Sequence, residues 1–242
     1  MLCSTEMASV VQWLDRIRHT WRAFGTRATA LFLCDRILAR TIHLDVETIV
    51  WLDENAVRSG PEQAPAFEFR FLSAEEVESF ARCPEYNLTL DHAERIRRGR
   101  DFCYAALAQD GRLAAYGWYA IEQIEGEHCA GADLQLPDGV AYMYKGFTHP
   151  DFRGARLHGA AMGGALRELG TLGVTSLISI VHWANHASLR SCRRLGYVPI
   201  GHVVTWKVRG PRHIHAPKPD RVHGARFGGY CLTTPVRERA HA

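Results

Sequence analysis

The sequence predicts an α/β domain preceded by a helical arm, and three observations carry that reading. Between Val140 and Tyr197 the chain runs as strand, basic turn, helix, strand and helix. Asp110-Gly111 separates two apolar runs, the signal of a hairpin. Val10, Leu14, Ile17, Trp21 and Phe24 fall at spacings of four, three, four and three, which is one stripe of a helix.

Composition sets the bounds. A chain of 242 residues accommodates one ordinary domain with extensions, and an apolar share of 47% supports a real core. The net charge is only +3, so composition gives no reason to expect a nucleic-acid partner. Seven cysteines, odd in number and without a Cys-x-x-Cys pair, fit a reduced, cytoplasmic compartment. There is no eighteen-residue apolar run, and the opening residues lack a secretory pattern.

The elements follow in order. Residues 8–24 read as a helix ending at Gly25, and Thr29 to Arg40 as a second. Arg16, Arg18 and Arg22 lie off the apolar stripe. This basic amphipathic arm either docks on an anionic membrane or partner, or packs on its own domain with its arginines in water. Ile42 to Leu52 is β-branched and reads as a strand. Ser59 to Pro65 (SGPEQAP) has linker composition, which sets an arm at 1–58 and a domain at 66–242. Phe67 to Leu72 is a strand. Ser73 with Glu76 is a capping box for a helix through Ala81. Asn87 to Arg98 is a helix with acids early and arginines late. The hairpin pairs Phe102–Ala108 with Leu113–Ile121. Residues 122–139 form a polar loop. Its Glu122, Glu125 and Glu127 either line a site for a cationic amine or face solvent. After Tyr197 come a strand at 200–208, an irregular stretch with His213, His215 and His223, and a last strand at 227–234. Those histidines lack converging companions, so no metal is expected.

The stretch from Val140 to Tyr197 carries the chemistry. His149 to Gly159 is a Pro- and Gly-punctuated turn with two arginines, set before a helix rich in small residues. Such a turn is an anion site, because free N–H groups and the helix dipole both face the incoming charge. Thr148-His149-Pro150 is followed by Arg153-Gly154-Ala155-Arg156-Leu157-His158, and later by Asn185, Ser188, Leu195, Gly196 and Tyr197. In these residues the chain resembles the core of the GNAT superfamily of acyl-CoA N-acyltransferases. The family reads Val-x-Pro, then Arg/Gln-x-x-Gly-x-Gly/Ala, then Asn-x-x-Ala/Ser, a Tyr seven residues after the Asn, and Leu-Gly-Phe. The agreement is close over this stretch and looser over 67–234. Arg156 stands where the family has Gly, and Cys192 where it often has Tyr.

The resemblance implies a mixed, mostly antiparallel sheet flanked by helices. It implies acyl transfer, acetyl above all, from acyl-CoA to a primary amine of a small molecule or peptide by direct attack. Donor contacts then fall on Gly146, Thr148, Arg153, Gly154, Ala155, Arg156, Leu157, His158, Gly159 and Asn185. The strand before the turn pairs with the pantetheine arm, and the helices at 73–100 help form the acceptor pocket. Arg156 keeps the backbone path only with a negative φ or an outward side chain. It also motivates an alternative donor, an acyl carrier protein or a longer acyl chain. The family's strand Glu falls at Ile180, which cannot titrate. His182, two residues on and on the same face, is either the base or a packed strand-end histidine. Cys192 is either the acid for the leaving thiolate or a small inward-packing residue. With Glu and Tyr both missing, a catalytically silent acyl-CoA-binding domain is the remaining reading.

Overall fold

The computed structural model describes residues 3–41, 43–99, 101–124, 132–208 and 212–230. Helix α1, Cys3–Thr41, bends at Gly25, where φ 81° and ψ −177° interrupt it between the two expected helical stretches. Strand β1, Asp45–Asp53, and β2, Phe67–Phe71, come next. Helix α2, Ala74–Ala81, starts at the expected capping box. Glu76 closes the box and is clamped by Arg70 through two bonds of 2.9 and 2.6 Å. Helix α3 spans Leu90–Arg97. The hairpin is β3, Asp101–Ala108, and β4, Leu113–Ala120. The expected 122–139 loop contains two short strands, β5, Gln123–Ile124, and β6, Ala132–Gln135. Glu125 and Glu127 lie outside the described residues. Then follow β7, Val140–Thr148; α4, Leu157–Leu169; β8, Ser176–His182; and α5, His186–Leu195. Strands β9, Val198–Trp206, β10, His213–His215, and β11, Arg226–Tyr230, complete the described fold.

Eight strands form the main sheet in the order β10-β9-β1-β8-β7-β4-β3-β2. Every pairing in it is antiparallel except β7 with β8. A mixed, mostly antiparallel sheet with helices on its faces is therefore what the chain forms. β11, β6 and β5 make a second, three-stranded sheet. Helices α4 and α5 cover one face of the main sheet over Leu52, Tyr119, Met143, Leu177 and Tyr197. Helices α2 and α3 cover the other over Cys103, Tyr116 and Trp118. Alternate residues of each strand feed the two cores, as the pleat requires.

The expected boundary at 59–65 is corrected. β1 lies inside the sheet, with Glu47 opposite His182 of β8 on one side and Val203 of β9 on the other. A division at 58 would remove an interior strand. The SGPEQAP stretch is also not a free linker. Its backbone is pressed into α4, where a Cβ on Gly163 would stand 1.9 Å from the Ser59 carbonyl oxygen. Nearby, a Cβ on Gly196 would meet the Ala56 oxygen at 2.1 Å. Ser59 and Pro61 of this stretch pack against Gly163 and Gly164 of α4.

Candidate active site

β7 and β8 hold the key geometry. They pair in parallel only at Val140–Ser176, Ala141–Leu177 and Tyr142–Ile178. β7 runs on to Thr148 and β8 to His182 without further pairing, so the two strands part. Ser179 Oγ donates to the Met143 carbonyl at 2.6 Å where they separate. Beyond it, the β7 edge facing β8 has no strand partner among the described residues. Such an edge accepts an extended ligand as an added strand.

A bulge shapes the same place. β4 pairs Trp118 with Lys145 but Tyr119 with Met143, leaving Tyr144 as the extra residue. Tyr144 and Lys145 both turn to the α2–α3 face. Tyr144 donates to Asp101 at 2.8 Å, and Asp101 is paired with Arg95. Lys145 donates to the Asn87 carbonyl at 2.6 Å. Burial depresses the Lys145 ammonium below its usual range.

The turn after β7 presents the start of α4. His149 Nδ1 accepts from the Asp151 N–H at 3.3 Å, and Arg112 stacks on Phe152 at 4.8 Å, which fixes the approach. Arg153, Gly154, Ala155 and Arg156 are exposed. Gly154 has φ 88° and Arg156 has φ 58°. Arg156 thus adopts the left-handed conformation that glycine takes freely, and keeps it with its side chain outward. No side chain caps α4, so its first-turn N–H groups are left without a side-chain acceptor, as an anion site requires. Leu157 is buried at 1% exposure and holds that turn on the core. Gly159 faces Ser59 and Leu195, and the ring of His158 lies against Gly146. Sequence reasoning placed His158 among the donor contacts and gave it no separate role.

The arrangement agrees with the GNAT-type fold that the sequence resemblance implies. Parallel strands that part, a bulge on the first of them, and an uncapped helix start reached by a Gly–Arg turn make up that frame. No family model matches the chain. A UDP-N-acetyl-3-dehydro-alpha-D-glucosamine 3-aminotransferase of Acidithiobacillus ferrooxidans is 38% identical over 66 residues, 26% of this chain. Those residues span only 16% of that protein's length. Among solved structures, an N-acetyltransferase related to GCN5 from Kribbella flavida superposes with TM-score 0.49 at 17% identity, covering 74% of this chain and 64% of that one. A tandem GNAT protein from the clavulanic acid pathway gives 0.48 at 17%, covering 72% and 55%.

The two residues expected for proton transfer, His182 and Cys192, each have close neighbours. His182 Nε2 lies 3.3 Å from Asp35 of α1 and 3.5 Å from Asp45, while Nδ1 accepts from the Ala184 N–H at 3.3 Å. Both ring nitrogens have polar neighbours. Burial works to lower the His182 pKa, but the hydrogen bond and charge of Asp35, with Glu47 and Asp45, outweigh it and raise it. Asp35 also accepts from Trp183 Nε1 at 2.7 Å. Burial works to raise Asp35, and its bonds to His182 and Trp183 bring it below the usual carboxylate range. Cys192 packs against the α4–α5 core, and burial pushes its thiol up to about 11. Asn185 caps α5, accepting from the Ser188 N–H at 3.1 Å.

A cavity of about 680 Å³ opens between α1 and the β8–α5 junction. Phe24, Phe32, Asp35, Asp45, His182 and Asn185 line it. Neither Asp35 nor Asp45 carried any sequence signal. Glu122 instead lines a cavity of about 580 Å³ with Val140, at the opposite end of β7 from the turn. Among the described residues no three His, Cys, Asp or Glu converge as metal ligands. His213 stacks on Trp206, and His223 on Trp51. No described helix is long and apolar enough to cross a membrane.

Proposed function

We propose that the chain is an acyl-CoA-dependent N-acyltransferase acting by direct attack of a primary amine. The single observation behind this is the parting of β7 from β8 beside the uncapped start of α4. The donor's phosphates sit on the first-turn N–H groups between Arg153 and Arg156. Its pantetheine arm pairs with the edge of β7 from Lys145 to Thr148, past Gly146. A β7 N–H polarises the thioester carbonyl. The amine approaches from the open ends of β7 and β8, through the cavity beneath α1. His182 and Cys192 are both committed elsewhere, so catalysis rests on positioning and carbonyl polarisation. Cys34, Cys83, Cys103 and Cys192 are free thiols, and the odd, scattered cysteines of the sequence fit the cytoplasmic setting we propose.

A second reading takes its support from that same commitment of His182 and Cys192. It makes the domain an acyl-CoA binder without turnover. Free-thiol release from acetyl-CoA over a panel of amines separates the two. Thiol release that depends on both acetyl-CoA and one amine supports the enzyme. Calorimetric binding of acetyl-CoA with no release over the whole panel supports the binder.

A further inference from the structure

The cavity beneath α1 carries both signs of charge together with two aromatic rings. Its volume of about 680 Å³ is that of a pocket for a drug-sized molecule. Its carboxylates are Asp15, Asp35 and Asp45, and its guanidiniums are Arg16, Arg36 and Arg212. The two acids beside β8 are short of donors. Asp35 and Asp45 both face His182 Nε2, at 3.3 and 3.5 Å, and that nitrogen has one proton to give. Asp35 takes a second donor from Trp183 at 2.7 Å. The Asp45 carboxylate has no other donor among the described residues, and its side chain is 28% exposed. An ammonium group supplies what Asp45 lacks. The arginines are the counterpart. Arg212 is half-buried and makes no ion pair among the described residues. Arg36 lies over the Phe32 ring at 5.6 Å. Asp45 stands opposite Thr205 of β9, and His213, next to Arg212, stands opposite Trp206. Asp45 and Arg212 are therefore two strands apart at one end of the sheet, roughly 10 Å between backbones.

We propose that this cavity takes a zwitterion of dipeptide size: its ammonium group on Asp45 beside Asp35, its carboxylate on Arg212, and its apolar body against Phe24 and Phe32. A ligand with one charge alone leaves Asp45 or Arg212 unanswered at a partly buried site, which costs affinity. That the bound zwitterion is the acceptor of acyl transfer rests on the reading given above; its binding does not.

The test is calorimetric titration of the dipeptide phenylalanyl-leucine, its C-terminal amide and its N-acetyl form into the wild type, Asp45→Asn and Arg212→Gln. The unmodified dipeptide is expected to bind the wild type roughly tenfold or more tightly than either capped form, the range for losing a charged hydrogen bond. Asp45→Asn is expected to lose affinity for the dipeptide and its amide but not for the N-acetyl form. Arg212→Gln is expected to lose it for the dipeptide and the N-acetyl form but not for the amide. A merely structural change weakens all three ligands alike, and that pattern overturns the proposal. Capped forms that bind the wild type as tightly as the dipeptide overturn it too, as does a wild type that binds no dipeptide at millimolar concentration; neither result needs a variant to fold. Thiol release from acetyl-CoA is then followed with the dipeptide and with simple amines. Dipeptide binding without any release upholds the zwitterion site and overturns its part in acyl transfer. Release with a simple amine, from a protein that binds no dipeptide, overturns the zwitterion site and leaves the transfer reading standing.

Discussion

Asp35 of α1 meets His182 of β8 at 3.3 Å, and that contact ties the N-terminal arm to the end of a central strand. Trp183 adds a bond to the same carboxylate at 2.7 Å. Phe24 packs on His186 at 5.6 Å between ring centres, and Arg190 lies over Phe24 at 4.6 Å. The arm is thus part of the domain, and one wall of its cavity.

Removing residues 1–58 is expected to unfold the protein rather than trim it. Ile49, Val50 and Leu52 of β1 are each at most 3% exposed. Burying three such side chains contributes about 5 kcal/mol or more, comparable to a domain's whole stability. Deleting only the residues before Leu44 should keep the sheet and lose the cavity. Circular dichroism with thermal melts checks both. A cooperative melt from a chain beginning at Pro61 would refute the interior role of β1.

The arm's attachment should depend on pH with a definite sign. His182 has a raised folded pKa, so its contribution is fully present below about 6.5 and fades as pH climbs through the folded value. Asp35 has a lowered folded pKa, so its contribution is present above about 3.9 and fades as pH drops through the folded value. The contact is therefore strongest in mildly acidic solution. His182→Ala and Asp35→Asn should each cost about 1–3 kcal/mol there, the range for a hydrogen bond to a charged group, and less at high pH. Denaturant unfolding from pH 5 to 9 measures it, and a cost that grows with pH would contradict the pairing.

Acyl transfer should follow the acceptor's protonation, not that of His182 or Cys192. With the Cys192 thiol near 11, handing its proton to an ordinary thiolate is uphill by about 3 kcal/mol. Cys192→Ala is expected to change kcat by less than about threefold, far below the effect of losing a general acid. The logarithm of kcat/KM should rise with pH until the amine is deprotonated, with the same profile in His182→Ala. A profile whose lower limb disappears in His182→Ala would make His182 the base after all.

Arg156 is expected to bind the donor from a strained but tolerated backbone. Its φ of 58° is where glycine would sit without cost. Arg156→Ala should weaken CoA by about 1–3 kcal/mol, through loss of a charged contact. Arg156→Gly should relax the turn yet also weaken CoA. Calorimetry compares the three proteins, and tighter CoA binding by Arg156→Gly would overturn CoA as the donor.

The sequence by itself determined the run from Val140 to Tyr197, because each element there is marked locally. A β-branched run makes β8, Asn185 caps α5, and glycines punctuate the turn before α4. The Ser73–Glu76 box and the Asp110-Gly111 turn were legible for the same reason. Only the tertiary structure decided that β1 fills the gap between β8 and β9, since strand neighbours far apart in the chain leave no local mark. It decided that SGPEQAP packs on α4, because composition shows where a chain is able to bend but not what presses against it. It decided too that His182 meets Asp35 and that His158 covers Gly146. A side chain's partner is set by the packing of distant segments, and spacing along the chain does not encode it.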